Sequence, residues 1–336
     1  MRSTVCGMLA VMLVVSGCSS KLADTTPATI ESARAAVSPP PVTAPAGQVL
    51  AFGAPAQSAI FDATLASLVV FTPGPDPRAA ATLTIFGPED APRPVGLPGG
   101  ATAIAGDGHG VAYASTRGGF ITVDLAAGTA KPTLIDGQTA TDFTAIARRA
   151  DGRLVLGSAD GVVYTLAADF TVSAKSDIFA RVDGIVTQGD TAVVLDRGQT
   201  SVTALNAQGS PQQALRAGLG ATTITADPAG RVLVADTRGG QLLVFGADPL
   251  IERQGYPVPD SPYGLAGSTT LVWVSQTATN TVIGYDLATG IPVEKVRYPT
   301  VRQPNSLALD QDSGTLYVVS GSGDGVQIIR NAAGAR

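Results

Sequence analysis

The stretch ITADPAGRVLVADTRGGQLLVF, residues 224–245, contains two short runs of aliphatic residues separated by a polar turn. The first run, VLVA, is followed by the Gly-rich segment DTRGG and then by QLLVF. Short apolar runs bounded by Gly, Asp and Pro turns predict antiparallel β-strands, because a helix would need a longer segment with a 3.6-residue period. The stretch therefore indicates a strand–turn–strand unit.

This unit recurs along the chain. Each copy begins with a small residue followed by Ile or Leu, and the successive Ile or Leu positions are 44, 42, 39, 39, 41 and 42 residues apart. These seven positions are Ile60, Ile104, Ile146, Ile185, Ile224, Leu265 and Leu307. A weaker fourth strand, such as residues 293–297, closes most copies. Four strands in about 41 residues is typical of one β-propeller blade.

The fold class that we predict is all-β, a seven-bladed β-propeller over residues 48–330 with four antiparallel strands per blade. The last copy ends after its third strand, and the strand-like segment QVLAF at 48–52 would complete that blade. Such an N-terminal strand would close the ring and remove its exposed edges. An open solenoid or a pair of β-sandwiches is the alternative, but neither accounts for both the period and the spare strand. Residues 331–336 form a short tail.

The N-terminus predicts a lipoprotein. Arg2 precedes the 13-residue apolar stretch 5–17, which has the length of a signal-peptide core and is too short to span a bilayer. The tetrapeptide VSGC at 15–18 resembles the bacterial lipobox, which implies cleavage of residues 1–17 and acylation of Cys18. An ordinary secretory signal is the alternative. Residues 18–47 are rich in Pro, Ala and Thr and predict a flexible stalk, so we expect a lipid-anchored protein on the extracytoplasmic face of the cell membrane.

Composition excludes several classes of function. The net charge of −5 and a pI of about 4.9 argue against a nucleic-acid partner. Cys6 and Cys18 are the two cysteines, so the predicted mature chain has no thiol beyond the lipid site. With His109 as the single histidine, neither a His-based triad nor a His-rich metal site can be assembled. We predict no cofactor and expect a monomer.

Two repeats carry a family resemblance. The segments PNSLALDQDSGTLYVVSGSGDGVQII (304–329) and ITADPAGRVLVADTRGGQLLVF (224–245) resemble repeats of the YVTN and NHL propellers. Over nearly its full length, including DFTAIARRADGRLVLGSADG (142–161) and VIGYDLATGIPVEKVRYPT (282–300), the chain resembles a mycobacterial lipoprotein family. This resemblance implies a membrane-anchored propeller of the cell envelope and brings no biochemical role with it.

One end of the predicted ring collects polar residues. In an up-and-down blade, the turns between the second and third strands lie at the same end as the links between blades. This end would carry Arg117, Asp160, Asp196, Arg197, Asp236, Arg238, Gln276 and Asn280 from the turns, and Asp142, Asp183, Tyr263 and Asn305 from the links. Three arginines could bind a carboxylate or phosphate, although an Arg in a Gly-rich turn can equally be solvated. We therefore predict a binding or scaffolding module for an envelope partner or a small anionic ligand.

Two other functions stay open. PNSLALD at 304–310 resembles the "PNG" segment of calcium-dependent propeller lactonases, which implies Asn305 as a calcium ligand. The Gly of that segment is Ser306 here, and no Glu occupies a matching link. A structural envelope protein without a ligand is the third reading. His109, in a turn between first and second strands, falls on the opposite face, and the nearby Asp107, Asp151, Asp227 and Asp310 are expected to bond local backbone amides.

Overall fold

The computed structural model of the protein describes residues 27–88 and 91–334. These residues form seven four-stranded antiparallel sheets, which follow one another along the chain and pack side by side as blades. This confirms the predicted seven-bladed β-propeller. In these described residues no helix is long and apolar enough to cross a membrane. The predicted signal peptide 1–17 and the predicted lipid site Cys18 lie outside the described residues.

Each of the first six blades takes its four strands in chain order, from the inner strand to the outer strand. Blade one consists of β2 (Ser58–Asp62), β3 (Ser67–Thr72), β4 (Thr82–Phe86) and β5 (Arg93–Gly96). Blade two consists of β6 (Ala103–Gly106), β7 (Val111–Thr116), β8 (Gly119–Asp124) and β9 (Thr129–Leu134). Blade three consists of β10 (Phe143–Arg148), β11 (Leu154–Ser158), β12 (Val162–Leu166) and β13 (Val172–Asp177). Blade four consists of β14 (Gly184–Gln188), β15 (Thr191–Asp196), β16 (Ser201–Leu205) and β17 (Pro211–Arg216). Blade five consists of β18 (Ala221–Ala226), β19 (Arg231–Asp236), β20 (Gln241–Ala247) and β21 (Leu250–Pro257). Blade six consists of β22 (Pro262–Gly267), β23 (Leu271–Gln276), β24 (Thr281–Asp286) and β25 (Val293–Pro299).

The seventh blade closes the ring with strands from both ends of the chain. Its inner three strands are β26 (Pro304–Asp310), β27 (Thr315–Ser320) and β28 (Val326–Ile329), and the outer strand is β1 (Gln48–Leu50). β1 pairs antiparallel with β28, with Val49 opposite Gln327. The fully buried Gln327 side chain donates from Nε2 to Ala46 O at 2.8 Å, which fixes the chain just before β1. The predicted closure by an N-terminal strand is confirmed.

The core lies between the blades. The middle strands are buried on both faces because each sheet packs against two neighbours, and β23 (LVWVSQ) is buried along its whole length. Trp273 is the largest fully buried side chain and stacks on Tyr298 of its own blade at 6.4 Å between ring centroids. The outer strands are largely exposed, as the pattern of β17 shows. This gradient explains why the fourth strand of each copy is the weakest sequence signal.

The seven recurring Ile and Leu positions have one structural role. All seven side chains line a central channel of about 520 Å³ that is walled by the inner strands of every blade. They are Ile60, Ile104, Ile146, Ile185, Ile224, Leu265 and Leu307. The period of about 41 residues in the sequence therefore arises because each blade places one Ile or Leu at the central axis. The wall of the channel combines these aliphatic side chains with polar ones such as Thr144, Thr187 and Thr223.

The two ends of the ring differ in chemistry. At one end, the turns between first and second strands are tied by local Asx hydrogen bonds, as predicted. Each of the four aspartates accepts a backbone amide in its own turn: Asp107 from His109, Asp151 from Arg153, Asp227 from Ala229 and Asp310 from Asp312. His109 is exposed there, with Nδ1 at 3.4 Å from Thr64 Oγ1 of the neighbouring blade. The candidate residues lie at the other end.

Candidate functional site

The N-terminal segment 29–39, here called the strap, lies across that other end of the ring, which we call the strap face. The strap has no regular secondary structure, yet it follows blades four to seven through hydrogen bonds to their turns and links. The bonds join Ile30 N to Gly198 O (2.8 Å), Arg238 Nη2 to Glu31 O (2.6 Å), Arg197 Nη2 to Ala33 O, Ala36 N to Ser261 Oγ (2.9 Å), Arg302 Nε to Ser38 O (3.2 Å) and Asn280 Nδ2 to Pro39 O (2.8 Å).

Ser38 is the best-anchored residue of the strap. It is 2% exposed, its Oγ donates to Thr277 O at 2.5 Å, and its backbone N donates to Gln303 Oε1 at 3.0 Å. Gln303 also donates two hydrogen bonds to the strap, from its backbone N to Ser38 Oγ and from its side-chain Nε2 to Ala36 O. Composition predicted a flexible stalk over 18–47, but the strap part of that range is held to the ring. The reason is that most of the bonds use backbone groups of the strap, which any sequence supplies.

Three arginines surround one cavity between the strap and the ring. This cavity, of about 570 Å³, is lined by Arg34 of the strap, Arg197 of blade four and Arg302 of the last link. Its other walls are Ala35, Val37, Tyr263, Gln303, Asn305, Gly321 and Ser322, so no carboxylate lines it. None of the three guanidinium groups makes a salt bridge to a described residue. In a chain of net negative charge, this cavity is a local concentration of positive charge.

Arg197 lines three cavities that meet at the strap face. It lines the three-arginine cavity, the mouth of the central channel and a smaller cavity of about 380 Å³ beside the loop 73–77. Its Nε is buried without a hydrogen-bond partner among the described residues. The smaller cavity is electrically balanced, because Arg181 and Arg197 face Asp76 and Asp183 there. The three-arginine cavity is therefore the better place for an anion.

The other two predicted arginines do not join this site. Arg117 is half exposed and pairs with Asp142 of the next blade at 2.6 Å, outside the three-arginine cavity. Arg238 is exposed and donates to Glu31 O and Leu219 O, so that it holds the strap. The arginines are also not at one blade position: Arg117 and Arg197 directly follow the second strand, whereas Arg238 is one residue further along.

Two predicted acidic residues serve the ring itself. Asp196 and Asp236 end the second strands of blades four and five, and both are completely buried. Asp236 accepts three backbone amides, from Leu219 at 2.9 Å, Gly220 at 2.8 Å and Gly239 at 2.9 Å. Asp196 accepts the corresponding amides of Ala180, Arg181 and Gln199. Each carboxylate thus joins its own turn to the preceding link through three backbone amides, and neither lines the three-arginine cavity.

The remaining predicted residues divide between the ring and the site. Asp160 is exposed in its turn and makes no hydrogen bond to a described residue. Gln276 and Asn280 are buried, and Gln276 Nε2 donates to Pro259 O. Asp183 accepts from Arg181 Nε at 3.0 Å and from Arg197 N at 2.8 Å. Tyr263 and Asn305 line both the central channel and the three-arginine cavity, and Asn305 Oδ1 accepts from Gln303 Nε2 at 3.0 Å.

The calcium hypothesis gains no further ligand from the geometry. In residues 27–88 and 91–334, no three His, Cys, Asp or Glu side chains group as a metal site would require. Asn305 is accompanied by the arginines 197 and 302 in its cavity, which would repel a cation. Asp183 is the one described carboxylate that lines the channel. Calcium binding at Asn305 stays a prediction.

Sequence reasoning missed Arg34 and Arg302. Arg34 lies in the segment predicted to be a stalk, and only its docking brings it to the ring. Arg302 lies three residues before Asn305 in the same link, so a scan for basic residues in the links would have found it. The exposed Arg34 is supplied by the strap, while Arg197 and Arg302 are supplied by blades. The site is therefore composite.

Comparison with known proteins supports the fold and no finer identity. No known sequence family matches the chain, and no curated protein matches it. Similar solved structures include a chain of the mitotic checkpoint complex (TM-score 0.69, 13% identity, 89% of this chain and 98% of that chain), Kuenenia stuttgartiensis hydrazine synthase (0.66, 13%, 86% and 99%) and a streptogramin B lyase (0.67, 11%, 85% and 96%). At such identities the likeness shows the fold alone. A β-propeller can serve as a binding module or as an enzyme, and two of these neighbours are named as enzymes.

Proposed function

We propose that the protein is an extracytoplasmic lipoprotein, anchored to the cell membrane through acylated Cys18, whose propeller binds a small anionic ligand in the three-arginine cavity. The lipobox-like VSGC and the preceding apolar stretch support the anchor. The resemblance to the mycobacterial LppL lipoproteins supports an envelope location. A protein partner in the envelope is the other kind of ligand that the strap face could take.

The observation that carries this proposal is the charge of the cavity. Three arginines line about 570 Å³, within the usual volume range of small-molecule sites, and no carboxylate lines it. A guanidinium presents its donors as a planar fork that matches two oxygens of a carboxylate or phosphate. Arg302 uses Nε for the strap, and its two terminal nitrogens make no hydrogen bond to a described residue. The ligand that fits is therefore a multiply charged anion with carboxylate or phosphoryl oxygens.

Thermal unfolding tests this function. The protein would comprise residues 19–336, so that the strap is kept, and would be titrated with pyrophosphate, citrate and phosphate at constant ionic strength. At a hundredfold excess over its Kd, a ligand stabilises the native state by about 2.7 kcal/mol, which raises the Tm by several degrees. We expect a saturable rise with at least one of the multiply charged anions. Equal Tm values in all anions and in sodium chloride would contradict the proposal.

The same measurement separates the two rival functions. A calcium-dependent lactonase with Asn305 as a ligand predicts a saturable rise of the Tm with calcium that EDTA reverses. A structural envelope protein without a ligand predicts that neither calcium nor any of the anions raises the Tm. We expect calcium to leave the Tm unchanged within about 1 °C, because the arginines 197 and 302 face the same cavity as Asn305.

A further inference from the structure

The strap enters the strap face at blade four and leaves it at blade seven. Its first backbone bond joins Ile30 N to Gly198 O in the turn between β15 and β16. After Pro39 the chain runs outward to the rim, where Ala46 N donates to Pro299 O at 3.0 Å and β1 begins. Thr29, the first residue of the strap, therefore lies on the strap face beside Gly198, and not at the rim or at the opposite end.

The length of chain between the predicted lipid and the strap is short. Ten residues, and therefore eleven Cα-to-Cα steps, separate Cys18 from Thr29. Eleven steps of any polypeptide reach at most about 36–40 Å when fully extended, and a random coil of this length spans on average about 20 Å. The strap face can thus approach the bilayer at any extension of this segment.

The opposite face of the ring can reach the bilayer only when the chain between Cys18 and Thr29 is nearly fully extended. From the turn at Gly198 the chain would have to cross to the outer strand, about 10 Å away, and then descend along a blade of about 20 Å. This path uses most of the extended length before any of it reaches the lipid. Because holding a chain near full extension costs conformational entropy, the orientation with the strap face toward the bilayer is favoured.

We infer that the strap directs the strap face, with its three-arginine cavity, toward the membrane surface. This inference rests on the proposed lipid at Cys18. The partner that this surface meets is the headgroup layer, whose phosphates have the chemistry that arginines bind. The end of the ring that carries His109 points away from the bilayer.

Energy transfer from single labelled cysteines to a headgroup dye tests the orientation. Because Cys18 is acylated in the proposed mature chain, Asp160→Cys and His109→Cys each offer one thiol, exposed on the strap face and on the opposite face respectively. The lipoprotein would be reconstituted in vesicles containing the acceptor dye. We expect transfer from position 160 to be about twice as efficient as from position 109, because the blades separate the two faces by about 20 Å. Equal transfer, or stronger transfer from position 109, would overturn the inference.

A matched variant tests the strap itself. Replacing residues 29–39 by a Gly-Ser segment of equal length removes Arg34 and the buried Ser38 while the tether keeps its length. We expect the difference between the two labels to fall by at least half, because the undocked segment no longer leaves the ring at blade four. An unchanged difference would overturn the role of the strap.

Failure of the lipid anchor can be told apart from failure of the orientation. Mass spectrometry of the N-terminal peptide reports whether Cys18 is acylated. If it is not, the proposed anchor is wrong. The orientation is then read with Cys18→Ser chains that start at residue 18 and are held to chelator-lipid vesicles by an N-terminal hexahistidine. The two labels are expected to differ there as well, and equal transfer would overturn the inference independently.

Discussion

Replacing Arg197 and Arg302 together by Met is expected to weaken binding of the stabilising anion by at least about a hundredfold. Hydrogen bonds to charged groups contribute about 1.5–3 kcal/mol each, and 1.4 kcal/mol corresponds to a tenfold change in Kd. Met keeps much of the side-chain length and removes the charge. Isothermal titration of pyrophosphate or citrate at fixed ionic strength measures the change. An affinity within threefold of the unchanged protein would show that the anion binds elsewhere.

Two controls separate the loss of charge from a loosened strap. Arg117→Met removes an arginine at the same blade position as Arg197, but this residue pairs with Asp142 and does not line the cavity. Its effect on Kd is expected to be less than twofold. Arg34→Met removes a cavity charge that makes no hydrogen bond to a described residue, so that the docked strap is retained. We expect about a tenfold loss for this variant.

Replacing Asp236 by Ala is expected to lower the free energy of unfolding by about 3–5 kcal/mol. The buried carboxylate accepts three backbone amides, and each amide left unpaired in the interior costs about 1–3 kcal/mol. For a domain of this size, the Tm would fall by about 10 °C. Chemical denaturation followed by the fluorescence of the buried Trp273 measures the change.

The repeat of this arrangement supplies its own controls. Asp196→Ala removes the same three-amide contact in the preceding blade and is expected to lower the free energy of unfolding by a similar amount. Asp160→Ala changes an exposed carboxylate on the same face, which is expected to alter stability by less than about 0.5 kcal/mol. Comparable losses from positions 160 and 236 would contradict the structural role that we assign to the buried aspartates.

The fold could be predicted because the Ile or Leu that each blade places at the axis recurs in the sequence at a nearly constant interval. Each blade must place an Ile or Leu toward the axis, and the buried second strand follows it at a nearly constant distance. The spare segment at 48–52 predicted ring closure, and β1 pairs with β28 over 48–50. Such periodic burial is the strongest signal that a single sequence carries.

The site could be predicted only in part, because a residue's place in a turn does not decide where its side chain points. Arg197 and Asn305 were identified and do meet at one cavity. Asp196 and Asp236 share the turns of the arginines, yet the backbone amides around them draw their carboxylates inward. Composition cannot reveal this choice, since an Asp that caps a turn and an Asp that meets a ligand have the same sequence neighbours.

Docking of the strap escaped prediction for a different reason. A segment poor in large apolar residues cannot form a core, and that argument correctly excludes regular structure for residues 29–39. It does not exclude binding to a surface that is already folded. The ring offers Arg, Asn and Gln side chains to the carbonyls of the strap, and carbonyls leave no trace in composition. Arg34 is therefore brought to the cavity by hydrogen bonds between strap carbonyls and ring side chains, which the residues around Arg34 do not predict.

Hydrogen exchange of the strap amides is the most direct test that strap and ring form one site. The amides of Ile30, Ala36 and Ser38 donate to Gly198 O, Ser261 Oγ and Gln303 Oε1. We predict that these amides exchange on the order of a hundredfold more slowly than in an unstructured peptide of the same sequence, which corresponds to an opening free energy of about 2.7 kcal/mol. Exchange at the rate of the free peptide would show that residues 29–39 leave the ring, and the composite arginine site would then be wrong.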